Sequence, residues 1–288
     1  MKIFIFESEI KLKSRIYELK SSFSGSVSIV IDRGNEIFSN HDFVQSDFKV
    51  YVLRESFPWG NKDRWALANQ DKFDLFVTTQ KSVISDFTAP CIYVPFATSW
   101  VEPIGDICPE KDYAISYMPG RKIMREFEGH AVRHNLYAIL EKDGISKFSQ
   151  ARLDLFPPSK WVDKKETIFD PYQFSIVIEN VISDGWFTEK LVDCFLRKTV
   201  PIYRGDPSIG DIFDPAGIFA FTDGADFVSS TAKIEKDTYR SLERVIQYNY
   251  DKALSFITPT IPIPQGETMN SFNGRAIKAV CDYLELKS

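Results

Sequence analysis

Short runs of apolar residues recur along the first third of the chain and are separated by polar stretches of helix or loop length. The runs are MKIFIF, SVSIVID, FKVYVLRE, FDLFVTT and CIYVPFA, all rich in β-branched and aromatic side chains. Runs of this length and composition predict buried strands. Because strands that alternate with helix-length segments are typical of a parallel sheet with helices on its faces, the pattern predicts an α/β fold.

A second series of the same kind follows the loop WVEPIGDICPEK. It consists of the strand DYAISYM, a helix around EFEGHAVRHNLYAILEK, the strand QFSIVIE, a second helix and the strand TVPIYRG. After the proline-rich stretch ITPTIPIPQGE, apolar positions again recur at helical spacing. We therefore predict an N-terminal α/β domain at 1–108, a C-terminal α/β domain at 109–265, and a C-terminal helix at 266–288 that could pack on either.

Composition and charge narrow the classes of function. Of the 288 residues, 44% are hydrophobic, and the formal net charge is −5, with acidic and basic residues interspersed. This balance argues against a nucleic-acid-binding protein. The first apolar run is too short for the core of a signal peptide, and no stretch has the length of a membrane span, so we expect a cytoplasmic protein. The sequence gives no indication of oligomeric state.

The cysteines do not form a recognisable cluster. Cys91, Cys108, Cys194 and Cys281 are far apart in the chain, and three of them lie in apolar surroundings. This distribution predicts buried free thiols in a reducing compartment rather than a metal site or a disulfide framework.

Lys190 is an unusual residue for the start of a helix. Thr188 is a natural N-cap, which places Glu189 and Lys190 in the first turn. The free N–H groups of that turn carry partial positive charge, which favours an acid and disfavours a lysine. The preceding strand ends in Glu179 and Asn180, at the sheet edge where α/β proteins bind ligands. We therefore predict an anion such as a diphosphate beside Lys190; an ordinary strand, turn and helix is the alternative.

Three other candidate sites are weaker. Glu126, His130 and His134 would share one helix face, but they lack the order of a zinc-protease motif, so we interpret them as helix-surface or turn residues. Arg133 could bind a phosphate through its forked guanidinium, although a single arginine is more typically solvated or paired. Glu55 follows the strand FKVYVL and could act as a general base if it faces a cleft.

The segment FSIVIENVISDGWFTEKLVDCFLRKTVPIYRGDPSIGDIF, residues 174–213, resembles the donor-binding signature of the family 10 glycosyltransferases, the α1,3/4-fucosyltransferases. In that family an apolar strand ends in Glu-Asn, a Tyr-x-Thr-Glu-Lys motif opens a helix, and a Val-Pro-x-x-x-Gly strand follows. Upstream, RHNLYAIL with Arg133 is similar to the arginine-led helix of the family, and VLRESFPWG with Glu55 is more loosely similar to the segment that holds its base.

The resemblance implies a GT-B fold, in which two Rossmann-like domains face each other across a cleft. It also implies an inverting transfer of L-fucose from GDP-fucose to a hydroxyl of a glycan acceptor, of the α1,3 type and without an obligatory divalent metal. By position, Arg133 and Lys190 would neutralise the diphosphate, and Asn180 would lie beside the donor. Glu189 would hold hydroxyls of the nucleotide sugar, and Glu55 would be the base.

Two departures from the family pattern border the donor. Trp186 replaces the usual Tyr, so an indole N–H stands where a phenolic hydroxyl could touch phosphate, and Val181 follows Asn180 in place of the usual Ser. They keep open a GT-B transferase that uses another nucleotide sugar. A catalytically inactive module that binds a sugar nucleotide or a glycan is the non-enzymatic alternative, against which the joint presence of Glu55, Arg133 and Lys190 argues.

Overall fold

The chain forms two compact units in a computed structural model, which describes residues 1–7, 15–18, 22–55, 62–107, 110–145, 149–159, 162–258 and 271–287. The first unit comprises Met1–Phe96 together with Pro259–Ser288, and the second comprises Ala97–Thr258. The predicted proline-rich connector and Cys108 lie outside the described residues, apart from the first two positions of the connector. Both units are α/β.

The first unit is built on a mixed sheet, in which six strands are described in the order β2-β1-β3-β4-β5-β6. Only the edge strand β2 runs antiparallel to its neighbour among these pairs. The strands are β1 (Lys2–Glu7), β2 (Arg15–Glu18), β3 (Ser26–Ile31), β4 (Phe48–Leu53), β5 (Leu75–Thr78) and β6 (Cys91–Tyr93). The described helices of this unit are α1 (His41–Gln45), α2 (Lys62–Ala68) and, at the end of the chain, α8 (Ser271–Glu285).

Helix α8 covers one face of the first sheet. Its buried side chains Phe272, Ile277 and Val280 belong to the same apolar cluster as Ile5 and Val50 of the strands. The opposite face of the sheet packs a separate aromatic-rich cluster. Because this helix is amphipathic and its apolar stripe matches a buried sheet face, the first unit is assembled from the two ends of the chain.

The second unit is built on a parallel sheet, in which five strands are described in the order β11-β10-β9-β7-β8. The strands are β7 (Asp112–Tyr117), β8 (Arg152–Leu155), β9 (Tyr172–Ile178), β10 (Val200–Arg204) and β11 (Phe219–Ala220). The helices described here are α3 (Glu128–Asp143), α4 (Glu189–Leu196), α5 (Gly224–Thr231), α6 (Thr238–Ser241) and α7 (Glu243–Ile257).

Strand β9 is central and is buried on both faces. Val177 belongs to the cluster that contains the α4 residues Leu191 and Phe195, whereas Ile176 belongs to the cluster that contains Tyr137 of α3. This alternation explains why the sequence of β9 is apolar at almost every position. The predicted α/β class with two α/β halves is confirmed, although the edge strand β2 makes the first sheet mixed rather than purely parallel.

The boundary between the units lies at Phe96 and Ala97, upstream of the predicted position at residue 108. Ser99 Oγ and the backbone N–H of Trp100 both donate to the buried carboxylate of Asp193 in α4, at 2.7 and 3.0 Å. The N–H of Ile104 donates to the carbonyl oxygen of Leu196. These bonds attach the connecting segment to the second unit, which is why it groups with that unit despite its loop-like sequence.

The described cysteines are free thiols. Cys194 is fully buried and its pKa is raised by burial, whereas Cys91 and Cys281 are half-buried with pKa values raised by burial to about 12 and about 11. In the part of the chain that the structure describes, no helix combines the length and the apolar character needed to cross a lipid bilayer.

Candidate functional site

The carboxyl end of β9 is held against the first turn of α3. The N–H of Gly129 donates to the carbonyl oxygen of Asn180 at 2.9 Å. A Cβ at Gly129 would lie 2.0 Å from the carbonyl oxygen of Glu179, so only glycine permits this approach. The close contact places the first turns of α3 beside the polar end of the strand.

Glu179 anchors the start of α4. Its carboxylate is completely buried and accepts from the backbone N–H of Thr188 at 2.8 Å and from its hydroxyl at 2.8 Å. Thr188 is the N-cap, as predicted, and its hydroxyl accepts from the N–H of Lys190. Since the cap residue is bonded to a buried carboxylate of the neighbouring strand, the helix start is fixed relative to the sheet edge.

Lys190 folds back onto two carboxylates of its own chain. Its Nζ lies 3.0 Å from Glu189 Oε1, 3.6 Å from Glu179 Oε2 and 3.0 Å from the hydroxyl of Thr188. The side chain retains 25% of its exposure. The cation that looked misplaced in a first helical turn is thus already paired, and its exposed part remains available to a further anion.

Glu189 is buried yet held as a carboxylate. Burial by itself would raise its pKa, but the positive charges of Lys190 and Lys165 and the hydrogen bonds from Lys190 and Thr188 outweigh it and lower the pKa to about 2. Glu189 therefore stays ionised at neutral pH and acts as a hydrogen-bond acceptor.

Arg133 lies on the other side of the end of β9. It is 7% exposed, and its Nε donates to the carbonyl oxygen of Ile178 at 2.8 Å while its Nη2 donates to Asn180 Oδ1 at 2.6 Å. Burial lowers its pKa, and the charges of Glu179 and Glu189 act in the opposite direction. The guanidinium therefore belongs to the same electrostatic cluster as the start of α4.

His130 is part of this cluster rather than of the helix surface. It is buried, its Nδ1 accepts from the N–H of Met124 at 2.9 Å, and its side chain hydrogen-bonds Asn180. Burial, followed by the charge of Arg133, lowers its pKa, so it is neutral at physiological pH. These contacts are those of a residue that orients Asn180. The sequence spacing had suggested only a metal ligand or a helix-surface or turn position, because it does not show that the side chain is buried.

Five of the six residues predicted for the site lie in the second unit. Four of them form two contacting pairs, and the fifth, Trp186, lies in the segment that precedes α4. Arg133 contacts Asn180, and Glu189 contacts Lys190. Trp186 is buried in the segment between β9 and α4, where its backbone N–H donates to the carbonyl oxygen of Ser183 at 3.1 Å. Its contact with a donor stays a prediction.

Glu55, the sixth predicted residue, belongs to the first unit. It follows β4 at the carboxyl edge of that sheet, is partly exposed, and its Oε1 lies 3.9 Å from Nε of Arg54. Arg54 also lies 3.4 Å from Asp32 and 3.6 Å from Glu7, so that it is shared among three carboxylates. Residues 56–60, the rest of the predicted base segment, lie outside the described residues.

Sequence reasoning did not assign a role in the site to Glu179 or Thr188. A charged residue directly after the apolar run YQFSIVI was the available signal, because a carboxylate fully buried at a strand end needs specific partners. Its partners lie nine or more positions further along the chain, and only the fold brings them together.

Removing the hydroxyl of Thr188 is expected to destabilise the second unit. A Thr188→Val variant keeps the shape but leaves the buried Glu179 with one donor fewer, which costs about 1–3 kcal/mol of unfolding free energy. Thr188→Ser, which retains the hydroxyl, is expected to keep most of the stability. Chemical denaturation of both variants measures the difference, and a valine variant as stable as the serine variant would contradict the anchoring role.

A 54-residue stretch of the chain is 37% identical to the α-(1,3)-fucosyltransferase FucT of Helicobacter pylori, a match that covers 19% of this chain and 11% of that protein. The resemblance to the α1,3-fucosyltransferases is confirmed. No family model matches the chain. The sequence match to that relative is restricted to this one segment.

Solved glycosyltransferase structures align with most of the chain. A trehalose-phosphate synthase (UDP-forming) from Burkholderia vietnamiensis aligns over 91% of this chain and 73% of its own, with 9% identity and a TM-score of 0.53. A crystal structure of an α1,3-fucosyltransferase with GDP-fucose aligns over 91% of this chain and 78% of its own, with 15% identity and a TM-score of 0.46. The predicted GT-B fold is confirmed by the first of these.

Proposed function

We propose that the chain is an inverting glycosyltransferase that moves L-fucose from GDP-fucose to a hydroxyl of a glycan acceptor, with α1,3 linkage. The observation that supports this most directly is the grouping of Arg133, Glu189 and Lys190 at the carboxyl edge of the second sheet. In open α/β folds that edge is where ligands bind. The fucosyltransferase-like segment supports fucose as the sugar.

The donor would be held through its charged and hydroxyl groups. Arg133 and the exposed part of Lys190 supply positive charge for the diphosphate at the start of α4. Glu189, an ionised acceptor, suits the hydroxyls of a ribose or a sugar. Asn180 is oriented by Arg133 and His130 and would lie beside the donor.

The transfer would proceed by direct displacement. Glu55 takes the proton of the acceptor hydroxyl as its oxygen forms a bond to the anomeric carbon, on the face opposite the leaving group. The bond between that carbon and the phosphate oxygen breaks, through a transition state with oxocarbenium character. The electron pair leaves with GDP, where the preorganised cations stabilise the developing charge. We propose that this step requires no divalent metal.

A transferase that uses another nucleotide sugar is the second candidate, and Trp186 in the donor segment is the observation that favours it. An indole N–H at that position would present a different contact to the donor from the phenolic hydroxyl of the family pattern. Thermal unfolding with GDP, UDP and their sugars separates the two candidates, because a ligand that binds only the native state raises its apparent stability.

Fucose transfer is tested by following release of GDP from GDP-fucose over an array of glycan acceptors, with and without EDTA. We expect acceptor-dependent release that EDTA leaves unchanged.

The Glu55→Gln variant is expected to bind GDP with wild-type affinity and to lose transfer, because the amide cannot take the proton. Unchanged turnover in this variant would show that Glu55 is not the base. In the thermal-unfolding experiment, stabilisation of the protein by UDP-sugars alone would show that the donor is a UDP-sugar and not GDP-fucose.

A further inference from the structure

Arg204 is a buried arginine at the carboxyl end of β10 that the proposed mechanism does not use. It is 6% exposed, its Nε donates to the carbonyl oxygen of Thr222 at 3.0 Å, and its Nη2 donates to Glu128 Oε1 at 3.2 Å. Among the residues that the structure describes, its buried Nη1 has no hydrogen-bond partner. Buried donors are nearly always matched, so this nitrogen calls for an acceptor.

Arg204 and Arg133 flank the end of the same central strand. The carbonyl oxygen of Arg204 accepts from the N–H of Glu179 at 2.8 Å, and Arg133 binds the carbonyl oxygen of the residue before, Ile178. Burial lowers the pKa of Arg133, and the positive charge of Arg204 lowers it further. The two guanidiniums are therefore close enough to repel each other at one sheet edge.

Among the residues that the structure describes, Arg204 is only weakly paired. Glu128, which accepts from its Nη2, is 59% exposed, so solvent screens that interaction. The side chain bond to Thr222 is to a neutral carbonyl group. The positive charges of Arg133 and Arg204 are therefore only partly neutralised. A phosphate group could bind both, since the paired N–H groups of a guanidinium match the spacing of phosphate oxygens.

We propose that Nη1 of Arg204 binds a phosphate oxygen of the donor diphosphate, next to Arg133. This inference rests on the proposed function, because it takes a nucleoside diphosphate as the ligand of that edge. It adds a donor-binding residue that the sequence did not single out: the segment YRGDPSIGD lacks the Lys-Ser or Lys-Thr of a P-loop and is otherwise typical of a turn.

Calorimetric titration of GDP and of guanosine tests the contact. We expect Arg204→Met to weaken GDP binding by about 10- to 100-fold, the range for a charge-assisted hydrogen bond, with guanosine affinity unchanged. Arg197→Met is the matched control, because Arg197 is also largely buried in this unit but is fully engaged by Asp170 and the carbonyl oxygen of Glu102. We expect both affinities unchanged there. Equal weakening of GDP and guanosine, or none, would overturn the inference.

A second variant keeps the test decisive if Arg204→Met does not fold. Glu128→Gln retains an oxygen for Nη2 but removes the negative charge, so GDP affinity is expected to rise by about two- to fivefold. An unchanged or weaker affinity would contradict the proposal. Failure of the wild-type protein to bind GDP or UDP would overturn the proposed function as well, whereas wild-type GDP binding with no effect of these substitutions overturns the Arg204 contact alone.

Discussion

A Lys190→Ala variant is expected to lose fucose transfer by about a hundredfold or more, the range for removing one preorganised group that stabilises developing charge. The substitution removes a cation from the proposed diphosphate site and also removes the ion-pair partner of Glu179 and Glu189. Release of GDP from GDP-fucose under saturating acceptor measures the rate. Near-wild-type turnover would mean that the donor diphosphate does not lie at the start of α4.

Two further variants separate charge from fold in that experiment. Lys190→Arg keeps a cation and is expected to retain part of the rate, and Lys233→Ala removes an exposed lysine elsewhere in the same unit and should leave the rate unchanged. If Lys190→Arg is as inactive as Lys190→Ala, the rate depends on the position of the ammonium group and not on the positive charge alone.

The pH dependence of stability gives an independent check on the Lys190 contacts. In the wild-type protein the pKa of Glu189 is lowered to about 2 from its ordinary value of 4.5, so this group stabilises the fold above pH 4.5 and loses that contribution as pH falls towards 2. Lys190→Ala removes a main cause of the lowering. The stability difference between the two proteins should therefore be largest near neutral pH and shrink in acid.

Gly129→Ala is expected to disrupt the carboxyl edge of the second sheet, where the donor is proposed to bind, although glycine carries no side chain. The added Cβ would lie 2.0 Å from a backbone oxygen of Glu179, and backbone cannot rotate away as a side chain does. We expect a loss of about 1–3 kcal/mol of unfolding free energy from overpacking. GDP affinity is expected to fall with it, because the first turns of α3 position Arg133 beside Asn180.

The matched control is Gly224→Ala. Gly224 is likewise in the first turn of a helix of the second unit, but a Cβ there meets nothing within 4 Å. This variant should keep or slightly gain stability and should bind GDP normally, since alanine has the higher helix propensity. Denaturation and GDP titration of the two variants side by side decide the matter: equal behaviour would show that the contact between α3 and β9 is not required.

Much of the fold follows from local pattern. The central strands are long apolar runs, and the start of α4 is marked by Thr188, whose cap position the structure confirms. The short edge strands β8 and β11 were not predicted. RLDL mixes charge with apolar residues and β11 has two residues, so both depend on hydrogen bonds to a neighbouring strand rather than on their own sequence.

The candidate site was predicted less completely, for a physical reason. The chemistry of Lys190 could be inferred because a cation in a first helical turn is locally unfavourable. Its partner Glu179 could not be inferred, and neither could the nitrogen of Arg204 that has no hydrogen-bond partner among the described residues. Both depend on distances between elements that are remote in sequence. The sequence predicted an incoming anion beside Lys190, and the structure shows that the chain supplies two of its own.

The placement of α8 has a consequence for the order in which the protein folds during synthesis. The strands of the first unit leave the ribosome early, but the side chains that cover one face of their sheet, among them Phe272 and Val280, follow the whole of the second unit in the chain. Until α8 emerges, that apolar face lacks the cover that the helix supplies. The second unit can therefore complete its core first, and the nascent first unit is the part that would depend on chaperones.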